Sequence, residues 1–280
     1  MANKAPLRTI TRMVNGFIED DGFILSGYLA YLALLALFPF FIFMVSLAGY
    51  VGRQMTLDNL TEFLDSLPPA VSAALAGPLD QAMRHAHGGV LTFGVLVSIW
   101  TVGSLIETFR VVIHKAYNIP AGRPFWQYRL QSFVMVIGSS LLLLAAMTTQ
   151  FMLGGVSRYM ADHLPLASNA IHLVKQARQI FTPLVLFVAL YVLDRVLVPR
   201  SVRPTVHWPG AMLTVLVWML TASLLPGILS EFGSYDITYG SLAGVMVTLL
   251  FFYIIGTGFV LGAQLNAAIK QTYYETTPTL

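Results

Sequence analysis

Cysteine is absent from this chain of 280 residues. Its absence excludes disulfides, thiolate nucleophiles and cysteine-ligated metal centres. Charge is scarce as well, because Asp, Glu, Lys and Arg together make up 10% of the residues, whereas a soluble globular domain carries about 25%. With 56% hydrophobic residues and a mean hydropathy of +0.72, the composition excludes an ordinary soluble globule and predicts an integral membrane protein.

Long apolar runs are separated by the few charged residues. They occupy residues 23–50, 90–106, 133–155, 180–198, 209–229 and 239–269. An α-helix needs about 20 mainly apolar residues to cross the hydrocarbon core of a bilayer. We therefore expect an all-α integral membrane protein whose six transmembrane helices form one domain, residues 23–269. Residues 1–22 are then an N-terminal segment and residues 270–280 a C-terminal tail.

Basic residues predict the orientation of this domain. Six spans place both termini, the second loop and the fourth loop on one side of the membrane. Most of the basic residues fall on that side, namely Lys4, Arg8, Arg12, Lys115, Arg123, Arg129, Arg195, Arg200, Arg203 and Lys270. The excess predicts that both termini are cytoplasmic. The same basic residues give the chain its net charge of +3. The positive charge is therefore explained by the orientation in the membrane, and no nucleic-acid partner is expected.

The first outer loop has an amphipathic pattern over residues 54–86. Its apolar residues recur at helical spacing on both sides of Pro68-Pro69, which predicts a short amphipathic hairpin on the outer face of the bundle. Residues 157–179 of the third loop carry a weaker stripe of the same kind. A lid that covers the helix ends is the favoured interpretation, and a gating or partner-docking surface is the alternative.

Aromatic and basic residues alternate in the second loop, which is predicted to be cytoplasmic. Trp126 suits the level of the lipid headgroups, and Arg123 and Arg129 suit lipid phosphates. We expect these three residues to contact headgroups, as ordinary interfacial anchors in preference to a dedicated lipid site.

Motifs for catalysis and metal binding are missing from the sequence. It contains no Ser-x-x-Lys, Gly-x-Ser-x-Gly, His-Glu-x-x-His or Walker A pattern. His85 and His87 offer two metal ligands without a convincing third. We expect no enzyme, no metal and no cofactor. Without a nucleotide-binding motif, any transport would be passive, gradient-coupled or driven by a partner.

The last apolar run carries small residues at intervals of one helical turn. Gly240 and Gly244 are one turn apart, and Gly258, Gly262 and Asn266 repeat the step. Such a stripe predicts close packing against a neighbouring helix, with the Asn266 amide hydrogen-bonded across the interface.

Ionisable side chains inside or beside the apolar runs are candidate functional groups, because their burial in a membrane is costly. Glu107 and Arg110 lie three residues apart, a spacing that predicts an ion pair. Asp194 and Arg195 are adjacent and point in different directions, so each needs a partner from another helix. The plainer alternative for both pairs is a location near the membrane interface, where such charges are neutralised or solvated. Pro39 is expected to shape the first helix.

Four blocks together resemble one known family. They are AYLALLALFPFFIF (30–43), IWTVGSLIETFRVVIHKAYNIPAGRPFWQYRL (99–130), TVHWPGAMLTVLVWML (205–220) and ITYGSLAGVMVTLLFFYIIGTGFVLGAQLN (237–266). In order and spacing they resemble the YihY/BrkB family of bacterial inner-membrane proteins, once labelled ribonuclease BN, over nearly the whole chain. The resemblance implies six helices, cytoplasmic termini and a general link to envelope integrity and lipid transport. The closing family motif is commonly Gly-Ala-Glu-Leu-Asn, and Gln264 removes its titratable group from this chain.

A transport-type or lipid-handling membrane protein is the leading hypothesis. Its polar pathway would be lined by Glu107, Arg110, Asp194, Arg195, Gln264 and Asn266. The alternative is a non-transporting scaffold for envelope assembly that docks partners through its outer loops. Membrane lipids are the expected partners, with envelope proteins or a second copy of the chain as further ones. A ribonuclease is rejected, because the sequence offers no metal-binding His/Asp cluster on a water-exposed face.

Overall fold

The computed structural model describes residues 5–51, 88–120, 125–163, 168–199, 202, 205–231 and 243–273. Within these ranges the regular elements are α-helices. They are α1 (Ala5–Glu19), α2 (Gly22–Val51), α3 (Gly88–Ala116), α4 (Phe125–His163), α5 (Ser168–Leu197), α6 (Trp208–Glu231) and α7 (Ala243–Tyr273). The predicted all-α class is confirmed for the described part of the chain.

The apolar runs of the sequence fall on the helices α2 to α7, one run on each helix. By length and composition, two described stretches qualify as candidate membrane spans, Gln179–Leu197 in α5 and Gly244–Tyr273 in α7. Helices α1 and α2 qualify together as a third span that is bent by 67°. The helices thus support a membrane protein, and the count of six spans stays a prediction.

Several predictions concern residues outside the described ranges, namely the outer hairpin 54–86, Arg123 and Gly240. Pro39 lies inside α2, which continues to Val51, so this proline does not end the helix. The N-terminal segment contains the helix α1, for which the sequence analysis predicted no element.

Helix α7 occupies the centre of the bundle. It packs against α6, α2, α1 and α3, and its side chains Val260, Ala263, Ala267 and Ala268 are buried. Consecutive helices from α2 to α7 run in opposite directions. The starts of α2, α4 and α6 therefore lie with the ends of α3, α5 and α7 at the end of the bundle where α1 packs, which we call the α1 end.

Glycines bring α6 and α7 into close contact. A Cβ atom added at Gly210 would collide with the backbone carbonyl of Gly262, and one added at Gly262 would collide with the hydroxyl of Thr214. A Cβ atom at Gly258 would lie 2.7 Å from Cγ1 of Val217. Small residues at these positions let the two backbones approach each other, as they do in other membrane helix pairs.

The corner between α1 and α2 is charged. Asp21 has φ of 60°, in the left-handed region that Asn and Asp tolerate better than most residues. Its carboxylate lies 3.1 Å from Nζ of Lys115 at the end of α3, and the same ammonium group donates to the carbonyl of Asp20 at 3.3 Å. Since both charged side chains are exposed, this ion pair contributes little stability. The ion pair shows that the corner between α1 and α2 lies beside the end of α3.

The contact between α6 and α7 predicts different effects for two Gly→Ala substitutions. Gly262→Ala is expected to lower the free energy of unfolding by about 1–3 kcal/mol, because the added methyl group overpacks the interface. Gly138→Ala in α4 is the matched control, since a Cβ atom there meets nothing within 4 Å. Its stability should stay equal or rise by up to about 1 kcal/mol through helix propensity. Thermal unfolding in detergent measures both variants, and equal shifts would contradict the close approach.

Candidate functional site

Three polar side chains from different parts of the chain meet inside the bundle at the α1 end. Asp194 lies near the end of α5, His207 directly precedes α6, and Asn266 lies on α7. Their relative exposures are 6%, 5% and 1%. Asp194 points inward because it shares a helix face with the buried Leu190, Leu197 and Val198, which follow the helical spacing.

These groups form a connected set of hydrogen bonds. Oδ2 of Asp194 lies 2.7 Å from Nδ1 of His207, and it also accepts from Nδ2 of Asn266 at 2.9 Å. The same amide nitrogen donates to the carbonyl oxygen of His207 at 3.0 Å. On its other side, Nε2 of His207 lies 2.8 Å from the hydroxyl of Thr205. We call Asp194, Thr205, His207, Gly210 and Asn266 the Asp194 cluster.

Asn266 also caps a helix that is not its own. Its Oδ1 accepts the backbone N–H of Gly210 at 2.8 Å, in the first turn of α6. The first N–H groups of a helix have no partner within it, so this amide satisfies one of them from α7. The positive end of the α6 dipole also favours the carboxylate of Asp194 nearby. A single amide therefore joins α5, α6 and α7.

The cluster carries the chemistry of a proton relay. An ionised carboxylate only accepts hydrogen bonds, so Nδ1 of His207 donates to Asp194 when that group is charged. Nε2 then accepts from Thr205 in the neutral imidazole and donates to it in the imidazolium. Thr205 is only partly buried, so the series runs from the buried carboxylate toward a more accessible hydroxyl.

Tyr117, just beyond the end of α3, borders this site. Burial, and secondly the negative charge of Asp194, raise the pKa of the Tyr117 hydroxyl above its ordinary value. Among the described residues this buried hydroxyl has no hydrogen-bond partner. The ring of Tyr191 meets His207 edge-on, with centroids 6.2 Å apart. The imidazole thus contacts an aromatic ring as well as polar groups.

A second polar group joins α3 to α4. Oε2 of Glu107 lies 3.0 Å from Nη1 of Arg129, and Nη2 of the same arginine donates to the carbonyl of Trp100 at 3.2 Å. The guanidinium group also lies over the Trp100 ring, 4.0 Å from its centroid. Glu107 Oε1 and Arg129 Nε have no hydrogen-bond partner within the described ranges.

This arrangement corrects the assignment of Arg129 to lipid headgroups. Its side chain is only 5% exposed and is held between α3 and α4. The sequence predicted an ion pair of Glu107 with Arg110 and did not predict the contact of Glu107 with Arg129. Arg110 is buried, donates to the Ser132 hydroxyl at 3.3 Å and lies over the ring of Tyr128. Trp126, by contrast, is exposed.

A third polar contact joins α7 to the corner between α1 and α2. Nε2 of Gln264 donates to Oδ2 of Asp20 at 2.6 Å. Gly16 leaves room for this amide, because a Cβ atom at that position would collide with Oε1 of Gln264. A glutamate at position 264 would place a second carboxylate against Asp20. The glutamine instead supplies a donor, which suits the acidic corner.

The candidate pathway residues therefore do not share one location. The structure brings Asp194 and Asn266 together, directs Glu107 and Arg110 toward α4, and directs Gln264 toward α1. Arg195 is exposed, unlike its neighbour Asp194, and its assignment to a pathway stays a prediction.

Sequence reasoning missed His207, Thr205, Tyr117 and Asp20 as members of these contacts. The available signal was the Thr-x-His-Trp-Pro block, which places a histidine immediately before a helix. Within the described residues, no group of three or more His, Cys, Asp or Glu side chains is arranged to hold a metal ion.

Helices that are rich in apolar residues, with polar contacts between them at the α1 end, define an all-helical membrane protein. The chain belongs to the Virulence factor BrkB family, whose model matches residues 13–279. This finding confirms the family resemblance that the sequence blocks indicated.

Relatives in several bacteria resemble the chain over about the same share of its length. The ribonuclease-like protein YfkH of Bacillus subtilis is 26% identical over 218 residues, which cover 78% of this chain and 79% of YfkH. A UPF0761 membrane protein of Stenotrophomonas maltophilia is 27% identical over 224 residues, covering 78% of this chain and 50% of that protein. One from Xanthomonas campestris is 24% identical over 228 residues, with coverages of 78% and 50%. The chain thus spans about half the length of these UPF0761 relatives. No solved structure matches the chain.

The bridging role of Asn266 predicts a large loss of stability on its removal. Asn266→Leu leaves the N–H of Gly210 buried without its acceptor and takes one donor from Asp194. Each buried unsatisfied group costs about 1–3 kcal/mol. We expect a lower midpoint of thermal unfolding in detergent and no comparable change in Gln127→Leu, which removes an exposed amide from α4. Similar midpoints for the two variants would show that the bridge does not stabilise the bundle.

Proposed function

We propose that this chain is an inner-membrane protein with six spans and cytoplasmic termini that moves or accommodates a lipid or another amphiphile, and so contributes to envelope integrity. Membership of a membrane family and the alternation of helices α2 to α7 support the topology. The basic residues that the sequence assigns to the cytoplasmic side include Lys115, Arg129 and Lys270, which lie toward the α1 end. That end is therefore proposed as the cytoplasmic one.

The buried pair of Asp194 and His207 is the observation that carries the transport proposal. Ionisable side chains inside a membrane bundle are expensive and mark substrate, ion or proton pathways. This pair joins three helices through one carboxylate oxygen. A proton on that carboxylate weakens it as an acceptor, and the contacts of α5 with α6 and α7 then weaken together. Gain or loss of a proton would in this way bias the relative positions of the three helices.

Gradient coupling is consistent with the other features of the chain. The sequence has no nucleotide-binding motif, so it would use no ATP of its own. Gln264 does not titrate, and Asp194 with His207 supplies the ionisable groups in its place. We propose no cofactor, no nucleic-acid partner and no enzymatic activity, the ribonuclease-like name of YfkH notwithstanding.

The second candidate function is a non-transporting scaffold for envelope assembly. One observation favours the scaffold. Three buried side chains each join different helices and hold the bundle closed, namely Asn266, Arg129 and Gln264. The outer loops, including residues 54–86, would then dock envelope proteins or a second copy of the chain.

The proposed topology can be tested directly, because the chain has no native cysteine. Single cysteines in intact cells should react with a membrane-impermeant maleimide in the loops proposed as external and stay protected in those proposed as cytoplasmic. The external set is Thr56, Ala167 and Ser234, and the cytoplasmic set is Ala121, Ser201 and Thr277. Labelling of a cytoplasmic position to the same extent as an external one would contradict six spans with cytoplasmic termini.

The transport proposal predicts a loss of activity when the buried pair is neutralised. The purified wild-type chain in liposomes should move labelled phospholipid or dissipate an ion gradient, and Asp194→Asn and His207→Gln should each slow this by about tenfold, the effect of about 1.4 kcal/mol on a barrier. Glu19→Gln is the matched control, since it removes an exposed carboxylate at the same end. Unfolding midpoints measured in parallel separate loss of activity from loss of fold.

Two results would favour the scaffold. The first is a wild-type protein that moves neither lipid nor ions in liposomes, which ends the transport proposal. The second is loss of the cellular phenotype when residues 57–83 are replaced by a neutral linker while Asp194→Asn leaves that phenotype intact. Full cellular function after the loop replacement would instead rule out docking through this loop.

A further inference from the structure

Helix α1 is fixed to the bundle along one face. Thr9 and Phe17 are buried, and Gly16 packs directly on the side chain of Gln264. The Asp20 carboxylate beyond its end is bonded to Gln264 at 2.6 Å, and Arg12 donates to the Thr272 hydroxyl at 3.2 Å. The axis of α1 is turned by 67° from that of α2. The direction of this helix is therefore set by the bundle.

A second face of α1 exposes a stripe of large apolar side chains. Leu7, Ile10, Val14 and Ile18 recur at intervals of three or four residues, and they are between 44% and 67% exposed. At 100° per residue they form one continuous flank beside the packed face. Exposing this much apolar surface to water is unfavourable, at about 25 cal/mol for each Å². The stripe needs an apolar environment that the described part of the bundle does not provide.

The stripe continues into the outer surface of α2. Phe23 and Ile24 follow it around the corner, and Tyr28, Tyr31 and Leu35 continue along α2, all of them exposed. In a chain of a membrane family, the outward apolar face of a long apolar helix faces lipid. The apolar flank of α1 is thus continuous with a lipid-facing surface.

The third face of α1 is polar. Arg8, Thr11, Arg12, Asn15 and Glu19 are exposed and occupy the flank between the stripe and the packed face, where Arg12 also reaches Thr272 of α7. Charges along one flank disfavour insertion of α1 into the hydrocarbon core, whereas the apolar stripe disfavours full exposure to water. A helix with both properties is stable in the plane of the membrane interface.

We propose that α1 is an interfacial helix whose stripe, Leu7, Ile10, Val14 and Ile18, lies at the boundary of headgroups and acyl chains, with Arg8 and Arg12 binding anionic lipid headgroups. The two guanidinium groups complement the negative charge of such a surface. The segment is therefore a lipid-contacting element and not a purely aqueous tail. This proposal is independent of transport, since an interfacial α1 is equally compatible with a scaffold.

Neighbouring single-cysteine variants of the full chain test the depth of α1. Val14→Cys and Asn15→Cys, each carrying an environment-sensitive fluorophore, are reconstituted in phosphatidylcholine vesicles with 30% phosphatidylglycerol, a composition of about one anionic lipid in three. The probe at position 14 should emit at a shorter wavelength than the probe at position 15, and it should be quenched by lipids that are brominated near the headgroup. The probe at position 15 should respond instead to a water-soluble quencher. The matched pair differs by one residue, so a general change of fold would affect both probes alike.

Two outcomes at position 14 overturn the proposal. One is access of the water-soluble quencher equal to that at position 15, which would leave the stripe in water. The other is protection from both quenchers, which would show that a second copy of the chain or another protein covers the stripe.

The charge part of the proposal has its own measurement. Quenching at position 14 by brominated phosphatidylglycerol should exceed quenching by equal amounts of brominated phosphatidylcholine. Arg8→Gln should reduce this preference by about fivefold, which corresponds to about 1 kcal/mol for one basic residue at an anionic surface. Arg8→Lys should retain it. Equal quenching by the two lipids in the wild-type chain would overturn the anionic preference.

Discussion

The approach of α6 and α7 at their glycines is the contact on which the rest of the α1 end depends. Only where Gly210 and Gly262 let the backbones meet can the short amide of Asn266 reach the first turn of α6. From that position the same side chain also reaches Asp194 on α5. A side chain at either glycine would move the amide away from its partners. Packing of small residues and polar bonding are therefore one interaction here.

The polar groups of the α1 end satisfy one another instead of lining one channel. Asn266, Arg129 and Gln264 each join a different set of helices, and each is buried. An ionisable group is tolerated inside an apolar bundle when partners compensate its lost hydration. By that criterion Glu107 Oε1, Arg129 Nε and the Tyr117 hydroxyl differ from the others, since they are buried without a hydrogen-bond partner among the described residues. These three atoms are the buried polar groups of the described bundle that still have hydrogen-bonding capacity.

Sequence patterns predicted the helices better than they predicted the contacts. Apolar runs locate α2 to α7 because burial of apolar surface acts through composition along the chain. The Gly258, Gly262 and Asn266 stripe likewise follows from helical periodicity, since it concerns one face of one helix. Arg129 was misassigned because its distance from Glu107 along the chain says nothing of how α3 and α4 turn toward each other. His207 was missed for the same reason, as its partners lie on α5 and α7.

Helix α7 connects the surface of the protein to its buried ionisable pair. Gln264 and Asn266 are two residues apart, so they point to different sides of the helix. Gln264 holds the corner after α1, and Asn266 holds Asp194 and the start of α6. One turn of α7 therefore carries both contacts, so the corner after α1 and the Asp194 cluster are held by the same short stretch of helix.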